Sequence, residues 1–473
     1  MDEALNDSTR GLNTAQLEAV QHIEGPLLIV AGPGSGKTRV ITHRIAYLHQ
    51  SGVYPNKIAA VTFTNRAAKE MRNRLERLMG DTSQDLSAGT FHSFSAMILR
   101  RDGQTIGIPR DFVIVDDDDQ LKLIKQSMEI AKIDSKRFQP RAILSAISSA
   151  KSRLLGPEGF QAHAQEYFDQ IVHNVFSEYQ KLLIQNHGLD FDDLLMKTVE
   201  LLQNSTEIRE KYQHRYHYLM VDEFQDTNTA QYQIAREITK SHHNLAVVGD
   251  PDQSIYSWRN ADITNILSFQ TDYPEAKVVH LSQNYRSSKN ILEAAKKVIA
   301  SNQRRIENEL FTENLQGEPI SIVEAYTEED EAREALNEIQ RLMVEDGFSL
   351  RDCVITYRVN AQSRALEEAC IRNGIPYKLV GGVRFYQRRE IKDLLGYLRL
   401  IQNPYDEISL ERIINVPSRA IGKRTFDDLI NWSRMLEIPP YTALQLLKSE
   451  SPSLQSPFNN MQQKQLIEFV SLI

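Results

Sequence analysis

Residues 31–38 (AGPGSGKT) follow directly on the apolar run Leu27, Leu28, Ile29 and Val30, and no other stretch restricts the fold so tightly. A continuous apolar run of this length suits a strand buried on both faces. Glycines at positions 32, 34 and 36 let the next turn curl until successive amides point at an anion, and a helix starting near Lys37 adds its positive N-terminus. Strand, glycine turn and helix in this order make a phosphate-binding loop at a strand end. The usual pattern has Gly first, where this chain has Ala31; the remaining positions, Gly32, Pro33, Gly34, Ser35, Gly36, Lys37 and Thr38, keep to it. Lys37 is placed to reach β- and γ-phosphates, and the Thr38 hydroxyl to hold Mg²⁺.

A second segment, residues 222–227 (DEFQDT), also follows an apolar run, Tyr218, Leu219, Met220 and Val221. Its two adjacent carboxylates point in different directions because strand side chains alternate. Asp222 is expected to bind Mg²⁺ and Glu223 to act as general base on the attacking water. Taken alone, the first segment could be a chance loop and the second an acidic helix cap. Together they specify a nucleoside triphosphatase site.

At 473 residues the chain exceeds what one core accommodates, so several domains are expected. No apolar run reaches the roughly 20 residues that cross a bilayer. Residues 1–12 (MDEALNDSTRGL) are acidic and polar where a signal peptide is basic and then apolar, so a cytoplasmic protein with no membrane partner is predicted. Cys353 and Cys370 are too few for a disulfide scaffold and are not spaced like a zinc site. The formal charge of −8 does not favour nucleic acid, but binding follows local patches. Residues 120–155 hold eight basic side chains (Lys122, Lys125, Lys132, Lys136, Arg137, Arg141, Lys151, Arg153) against two acids, and residues 378–424 hold ten against five. Such runs are also what a solvated helix face looks like, so they permit nucleic-acid binding without requiring it.

Buried-strand patterns near Leu27, over 59–63, over 218–221 and over 245–248 alternate with helical stretches. That alternation predicts an α/β fold with parallel-sheet cores. The expected organisation is a first core over 1–109 and 188–276, interrupted by a helical insertion over 110–187. A second, partial core follows over 277–380, with strands at 277–281, 320–323 and 354–357 and no phosphate loop of its own. A second, partial helical insertion occupies 381–473, after Leu379, Val380, Gly381 and Gly382. Residues Asp116 to Asp119 are expected to cap the first helix of the first insertion.

With residues 249–261 (GDPDQSIYSWRNA) added, the ordered set resembles the UvrD/PcrA/Rep-type superfamily 1 DNA helicases, from about Leu12 to the last residues. The resemblance implies P-loop, RecA-like cores with α-helical insertions, the second core incomplete. It further implies an ATP-dependent, Mg²⁺-requiring motor that moves 3′ to 5′ along single-stranded DNA and opens duplex. Partners would be single-stranded DNA and single-strand/duplex junctions, with a monomeric protein and an unspecified loading partner.

The family's roles carry over position by position. Gln16, in residues 12–16 (LNTAQ), looks like the adenine-reading element, since its amide offers a donor beside an acceptor. Arg39 would pack on the base or ribose, and Tyr285, in residues 281–288 (LSQNYRSS), would stack on adenine. Arg286 resembles an arginine finger in cis, a group worth several orders of magnitude in rate. Gln253 looks like the γ-phosphate sensor. Phe63 and Asn65 (TFTNRAA), His92 (GTFHSF), Tyr256, Trp258 and Arg259 resemble the single-strand contacts, with Arg358 (ITYRVNAQSRALEEA) contacting DNA from the second core. Aromatic faces accept any base, which suits a motor. Residues 384–399 match the start of the family's second insertion, and residues 415–425 (NVPSRAIGKRT) its phosphate-holding hairpin turn, with Ala420 where the pattern has Gly.

The family's chain returns to complete the second core, and its two later motifs are not found here. Residues 466–473 (LIEFVSLI) end an amphipathic helix without a cap, so a fragment or truncated reading frame is expected. The alternative function is then an ATP- and DNA-binding module without productive unwinding. A small-molecule kinase built on the same loop leaves Tyr256, Trp258 and Arg286 unexplained.

Overall fold

The computed structural model describes residues 8–162, 164, 166–303, 305–380, 389–449 and 456–473. The Gly381–Gly382 position and the start of the 384–399 segment lie outside these residues. The chain divides into a larger unit, Met1–Gly317 with Asp393–Ile473, and a smaller one, Glu318–Lys392.

The larger unit is built on six parallel strands: β1 (Leu27–Ala31), β2 (Ile58–Thr62), β3 (Ser87–Thr90), β6 (Tyr218–Val221), β7 (Leu245–Gly249) and β8 (Lys277–Leu281), in the order β3-β2-β6-β7-β1-β8. β1, β2, β6 and β7 are buried along their whole lengths. Strand alternation sends their side chains into two cores. Leu28, Val30, Val61, Leu219, Val221 and Val247 pack on one face, and Leu27, Ile29, Ala31, Ala60, Met220 and Val248 on the other. Each fully buried Val, Leu or Ile contributes about 1.5–3 kcal/mol. A sheet apolar on both faces needs helices on both, and the helices Lys37–Gln50 and Phe91–Asp102 fall on opposite sides of it.

Two short strands, β4 (Val113–Ile114) and β5 (Gly188–Leu189), pair in parallel, so the chain leaves the core and returns to it at one place. The helices between them, Asp117–Ile130, Pro140–Ser152, Pro157–Gln161 and Tyr167–Gln185, have their own apolar core around Ile124, Ile147, Val175 and Phe176. Asp116 caps the first of these helices, its carboxylate accepting from the amides of Asp118 and Asp119 at 3.1 Å each. Asp119 does not cap. It is buried and paired with Lys122, Arg399 and Arg412.

The insertion is fixed to the sheet domain by a buried charge cluster. The Lys151 ammonium lies 2.7 Å from Asp190 and 2.8 Å from Asp193, and the Tyr179 hydroxyl donates to Asp190 at 2.9 Å. Burial pulls the Lys151 amine down, but the two carboxylates more than offset this and hold it above its ordinary value. Lys151 therefore leaves the basic surface patch to which the sequence assigned it. Removing one partner of such a cluster strands the others, so Lys151→Met is expected to lower unfolding free energy by about 3–5 kcal/mol in a denaturant titration. A change below about 1 kcal/mol would contradict this account of the junction.

The second core differs from expectation. Lys277–Leu281 is the sixth strand of the first sheet, with Leu27 to Ala31 opposite Lys277 to Leu281 in register. As the last strand it is only partly covered, with Lys277 and His280 exposed and Val279 and Leu281 buried, and that mixture reads equally well as the opening strand of a new sheet. Residues 320–323 and 354–357 are not strands; Ile322 is 95% and Val354 83% exposed. Among the described residues the smaller unit consists of the helices Glu328–Glu345 and Ser363–Arg372, two short helical turns, Leu350–Asp352 and Asn360–Gln362, and the first residues of the helix Arg389–Gln402. Cys353 and Cys370 lie in this unit as free thiols.

After Asp393 the helices Glu407–Ile413, Lys423–Met435, Pro440–Lys448 and Asn460–Leu472 enclose a further core around Leu429, Trp432 and Phe469. Ala420 has a φ of 56°, the left-handed region in which Gly is at ease, so glycine's usual place in that pattern has a backbone reason. The Asn415 carboxamide accepts from the amides of Arg419 at 2.7 Å and Ile421 at 3.3 Å. These two amides of the predicted phosphate-holding turn are thus engaged within the chain. No described helix is long and apolar enough to cross a membrane.

Candidate active site

Parallel strands all end on the same edge of a sheet, and in an open α/β fold that edge is where ligands meet the chain. The loops after β1, β2, β6, β7 and β8 carry most of the residues singled out from the sequence.

After β1 the backbone turns through Gly34 (φ 67°) and Gly36 (φ 92°) into the helix Lys37–Gln50. A Cβ on Gly34 would stand 2.7 Å from the Arg286 Cβ and 2.9 Å from the Asn284 Nδ2; one on Gly36 would stand 3.0 Å from the Gln16 Nε2. The loop needs glycine for space as well as for conformation. The loop after β8 lies against it: the Tyr285 amide donates to the Gly34 carbonyl at 2.9 Å, and the Asn284 Nδ2 donates to the Pro33 carbonyl at 2.6 Å. Asn284 also accepts from the amides of Arg286 and Ser287, so one carboxamide both shapes its own turn and holds the phosphate loop.

Lys37 is the telling residue. Its ammonium is buried and has no hydrogen-bond partner among the described residues; it forms an ion pair with Glu223 at 3.5 Å. A buried cation short of hydrogen bonds at the end of a glycine turn fits a polyphosphate. The Thr38 hydroxyl donates to the Asp222 carboxylate at 3.3 Å, bringing together the two oxygen ligands proposed for Mg²⁺. Burial raises the Asp222 carboxyl to about 7, the Glu223 charge adds to this, and Lys37 opposes it. Asp226 is likewise raised to about 7, by burial first and then by Glu223. Glu223 itself sits at a φ of 52°, a strained conformation for a non-glycine residue.

Other assignments meet their surroundings less simply. Gln16 is 1% exposed; its Nε2 donates to the Ser35 carbonyl at 2.9 Å and its Oε1 accepts from the Asn13 amide at 3.2 Å. The amide edge assigned to adenine is therefore bonded to the phosphate loop and to its own helix cap. The Arg39 guanidinium donates to the Gly11 carbonyl at 3.1 Å. The Tyr285 hydroxyl donates to Gln283 and accepts from Asn13, each at 2.8 Å, and the ring is 48% exposed. Gln253 donates to the Asp250 carboxylate at 2.5 Å. Arg286 is exposed beside the loop.

The loops after β2 and β7 form an aromatic ladder. The Phe63 and Tyr256 ring centroids are 4.9 Å apart and those of Tyr256 and Trp258 are 6.2 Å apart; the Arg259 guanidinium sits 4.7 Å from the Trp258 ring. Trp258 is 71% exposed. An indole presented to solvent with a cation over one face has no packing role and is available for stacking. Asn65 is exposed at the start of the helix Asn65–Met79. His92 meets Phe191 edge to face at 5.8 Å, and burial lowers its imidazole to about 4, so it is neutral at pH 7. Arg358 is exposed in the smaller unit, where its amide donates to Gln362.

Comparison with known proteins agrees with this arrangement. A model of the UvrD/REP helicase N-terminal domain matches residues 12–274, and a model of the UvrD-like helicase C-terminal domain matches residues 279–465. The chain belongs to the UvrD/REP helicase family. It is 49% identical over 441 residues to the ATP-dependent DNA helicase PcrA of Staphylococcus aureus (strain NCTC 8325 / PS 47), and 50% identical over the same length to its namesake in Staphylococcus epidermidis (strain ATCC 12228 / FDA PCI 1200). These alignments cover 93% of this chain, which spans 60% of the length of either relative. Membership accounts for a parallel sheet with a phosphate loop on β1, and the family boundary near residue 279 falls inside β8.

Sequence reasoning passed over two residues. Leu310 packs against Gly32, where a Cβ would come 2.2 Å from its Cδ2, and nothing in its local pattern marks it. Gln225 lies inside the DEFQDT segment and is buried among polar groups; the motif quoted it, but no chemistry pointed to it.

Proposed function

We propose that this chain contributes the motor of an ATP-dependent DNA helicase, hydrolysing ATP on the loop after β1 and using the cycle to move 3′ to 5′ along single-stranded DNA and open duplex at junctions. The observation that carries the reading is the buried Lys37 ammonium, set beside Thr38, Asp222 and Glu223 on the same sheet edge as the Phe63–Tyr256–Trp258 ladder, whose outer ring, Trp258, is exposed. The similarity to two ATP-dependent DNA helicases favours it too.

In this reading the amides of residues 32–36 and Lys37 bind the β- and γ-phosphates. Thr38 and Asp222 would hold Mg²⁺, which when bound would supply positive charge against the phosphate oxygens. Glu223 takes the proton of the attacking water, while Arg286 approaches the charge developing at the γ-phosphate. Gln253 senses that phosphate from the loop after β7. The adenine would lie toward Gln16, Arg39 and Tyr285, with Asn65, His92, Arg259 and Arg358 joining the rings along the strand. The working form is a cytoplasmic monomer.

A partial duplex with a 3′ single-stranded tail is expected to open with ATP and Mg²⁺, and one with a 5′ tail to stay closed. Opening both equally contradicts the polarity. ATP turnover without opening either would favour the alternative, a binding module, which is the weaker reading because both family models match. Trp258→Ala is expected to weaken single-strand affinity by roughly 5- to 150-fold, the equivalent of about 1–3 kcal/mol of stacking, by fluorescence anisotropy at fixed salt. Unchanged affinity would remove the ladder from the track.

A further inference from the structure

The nucleotide groups and the aromatic ladder sit on different loops, and one buried side chain joins them. Gln225 is 1% exposed. Its Nε2 donates to the Glu223 carboxylate at 2.9 Å and to the Asp226 carboxylate at 3.2 Å, and its Oε1 accepts from the Asp250 amide at 3.0 Å. Its backbone carbonyl accepts from the Ser254 hydroxyl at 3.3 Å. Asp250 in turn accepts from Gln253, and Ser254 leads through Ile255 to Tyr256, whose ring rests on Phe63. Gly249 completes the joint: a Cβ there would stand 2.7 Å from the Gln225 Oε1 and 3.2 Å from its amide nitrogen. The end of β6 is thereby tied to the loop after β7 by one carboxamide whose donor side faces the general base and whose acceptor side faces the sensor loop.

We propose that Gln225 is a positioning residue that links the Glu223 carboxylate to the aromatic ladder, so that a change at the γ-phosphate is felt at Trp258. The inference rests on the function proposed above. When the hydrogen bonds around Glu223 rearrange on nucleotide binding, the amide donor of Gln225 is the group that must respond. Its carbonyl cannot turn without releasing the Asp250 amide, which starts the segment holding Gln253, Ser254 and Tyr256. A buried carboxamide with both ends engaged transmits a displacement because neither end has water to retreat to.

The chain has two tryptophans, and only one of them is accessible: Trp258 is 71% exposed and Trp432 3%. Acrylamide quenching therefore reports Trp258 in the unmodified protein. The experiment measures that quenching with and without Mg²⁺ and a non-hydrolysable ATP analogue, alongside calorimetric binding of the same analogue, in wild type, Gln225→Ala and Gln225→Met. Gln225→Met keeps the length and much of the volume of the side chain and loses its donor and its amide oxygen without adding charge beside Glu223 and Asp226, so it guards against a failure of Gln225→Ala to fold. The expected result is a nucleotide-dependent change in wild-type quenching that falls at least fivefold in both variants, while analogue affinity stays within about fivefold. An equal quenching response in wild type and Gln225→Met overturns the proposal, as does a wild type that binds analogue with no response at Trp258. A wild type that fails to bind the analogue overturns the nucleotide reading itself, and the two failures are thus told apart.

Discussion

Lys37→Ala is expected to reduce ATP turnover by at least about 10²–10³-fold, the scale lost when one preorganised charge donor is taken from a transferring group. The same substitution should leave thermal stability unchanged or slightly raised. The ammonium is buried without a hydrogen bond among the described residues, so its removal relieves a desolvation cost; the attraction it gives up, to Glu223 at 3.5 Å and to Asp222 and Asp226, is offset because those two Asp carboxyls, raised to about 7, can take up a proton instead. This opposition of effects separates a ligand-binding lysine from a structural one. A lysine that held the fold together would lose stability and activity in step, as Lys151→Met is expected to do. A melting temperature lowered by more than about 5 °C in Lys37→Ala would signal a structural role, given that about 1 kcal/mol shifts a domain of this size by a few degrees.

Glu223→Gln is expected to bind ATP with near-normal affinity and to hydrolyse it about 10²–10⁴-fold more slowly, the usual contribution of a positioned general base. Glutamine keeps the length of the side chain and an oxygen for the Gln225 donor, so the Gln225–Asp250 connection survives. What is lost is the acceptor for the water's proton. The effect should therefore fall on kcat and spare KM. Near-normal hydrolysis would move the base to another residue, Asp226 being the nearest acidic side chain on the same turn.

The two halves of the candidate phosphate site were legible as neighbours because their patterns are local. Residues 27–38 carry strand, turn and helix start in one stretch, and the apolar run before Asp222 places a carboxylate pair at a strand end. Long-range contacts were not legible. Nothing in a linear pattern shows that the Gln16 amide faces the Ser35 carbonyl or that Leu310 packs on Gly32, since each depends on a pairing between distant segments. β8 was misplaced because a half-exposed edge strand shows the same mixture of apolar and polar residues whichever sheet it joins. Lys151 was read as surface charge because composition cannot distinguish a solvated lysine from one facing Asp190 and Asp193. Gln225 escaped because a neutral amide announces no chemistry until both of its partners are seen.

The central claim is that one sheet edge joins a triphosphate site to a single-strand track, and steady-state ATP turnover with and without single-stranded DNA tests it most directly. The account predicts that DNA raises turnover on the order of tenfold or more, a coupling within the usual 5- to 150-fold range, and that Trp258→Ala suppresses the rise while leaving the DNA-free rate in place. Turnover indifferent to DNA, or a rise that persists without the Trp258 ring, would contradict it.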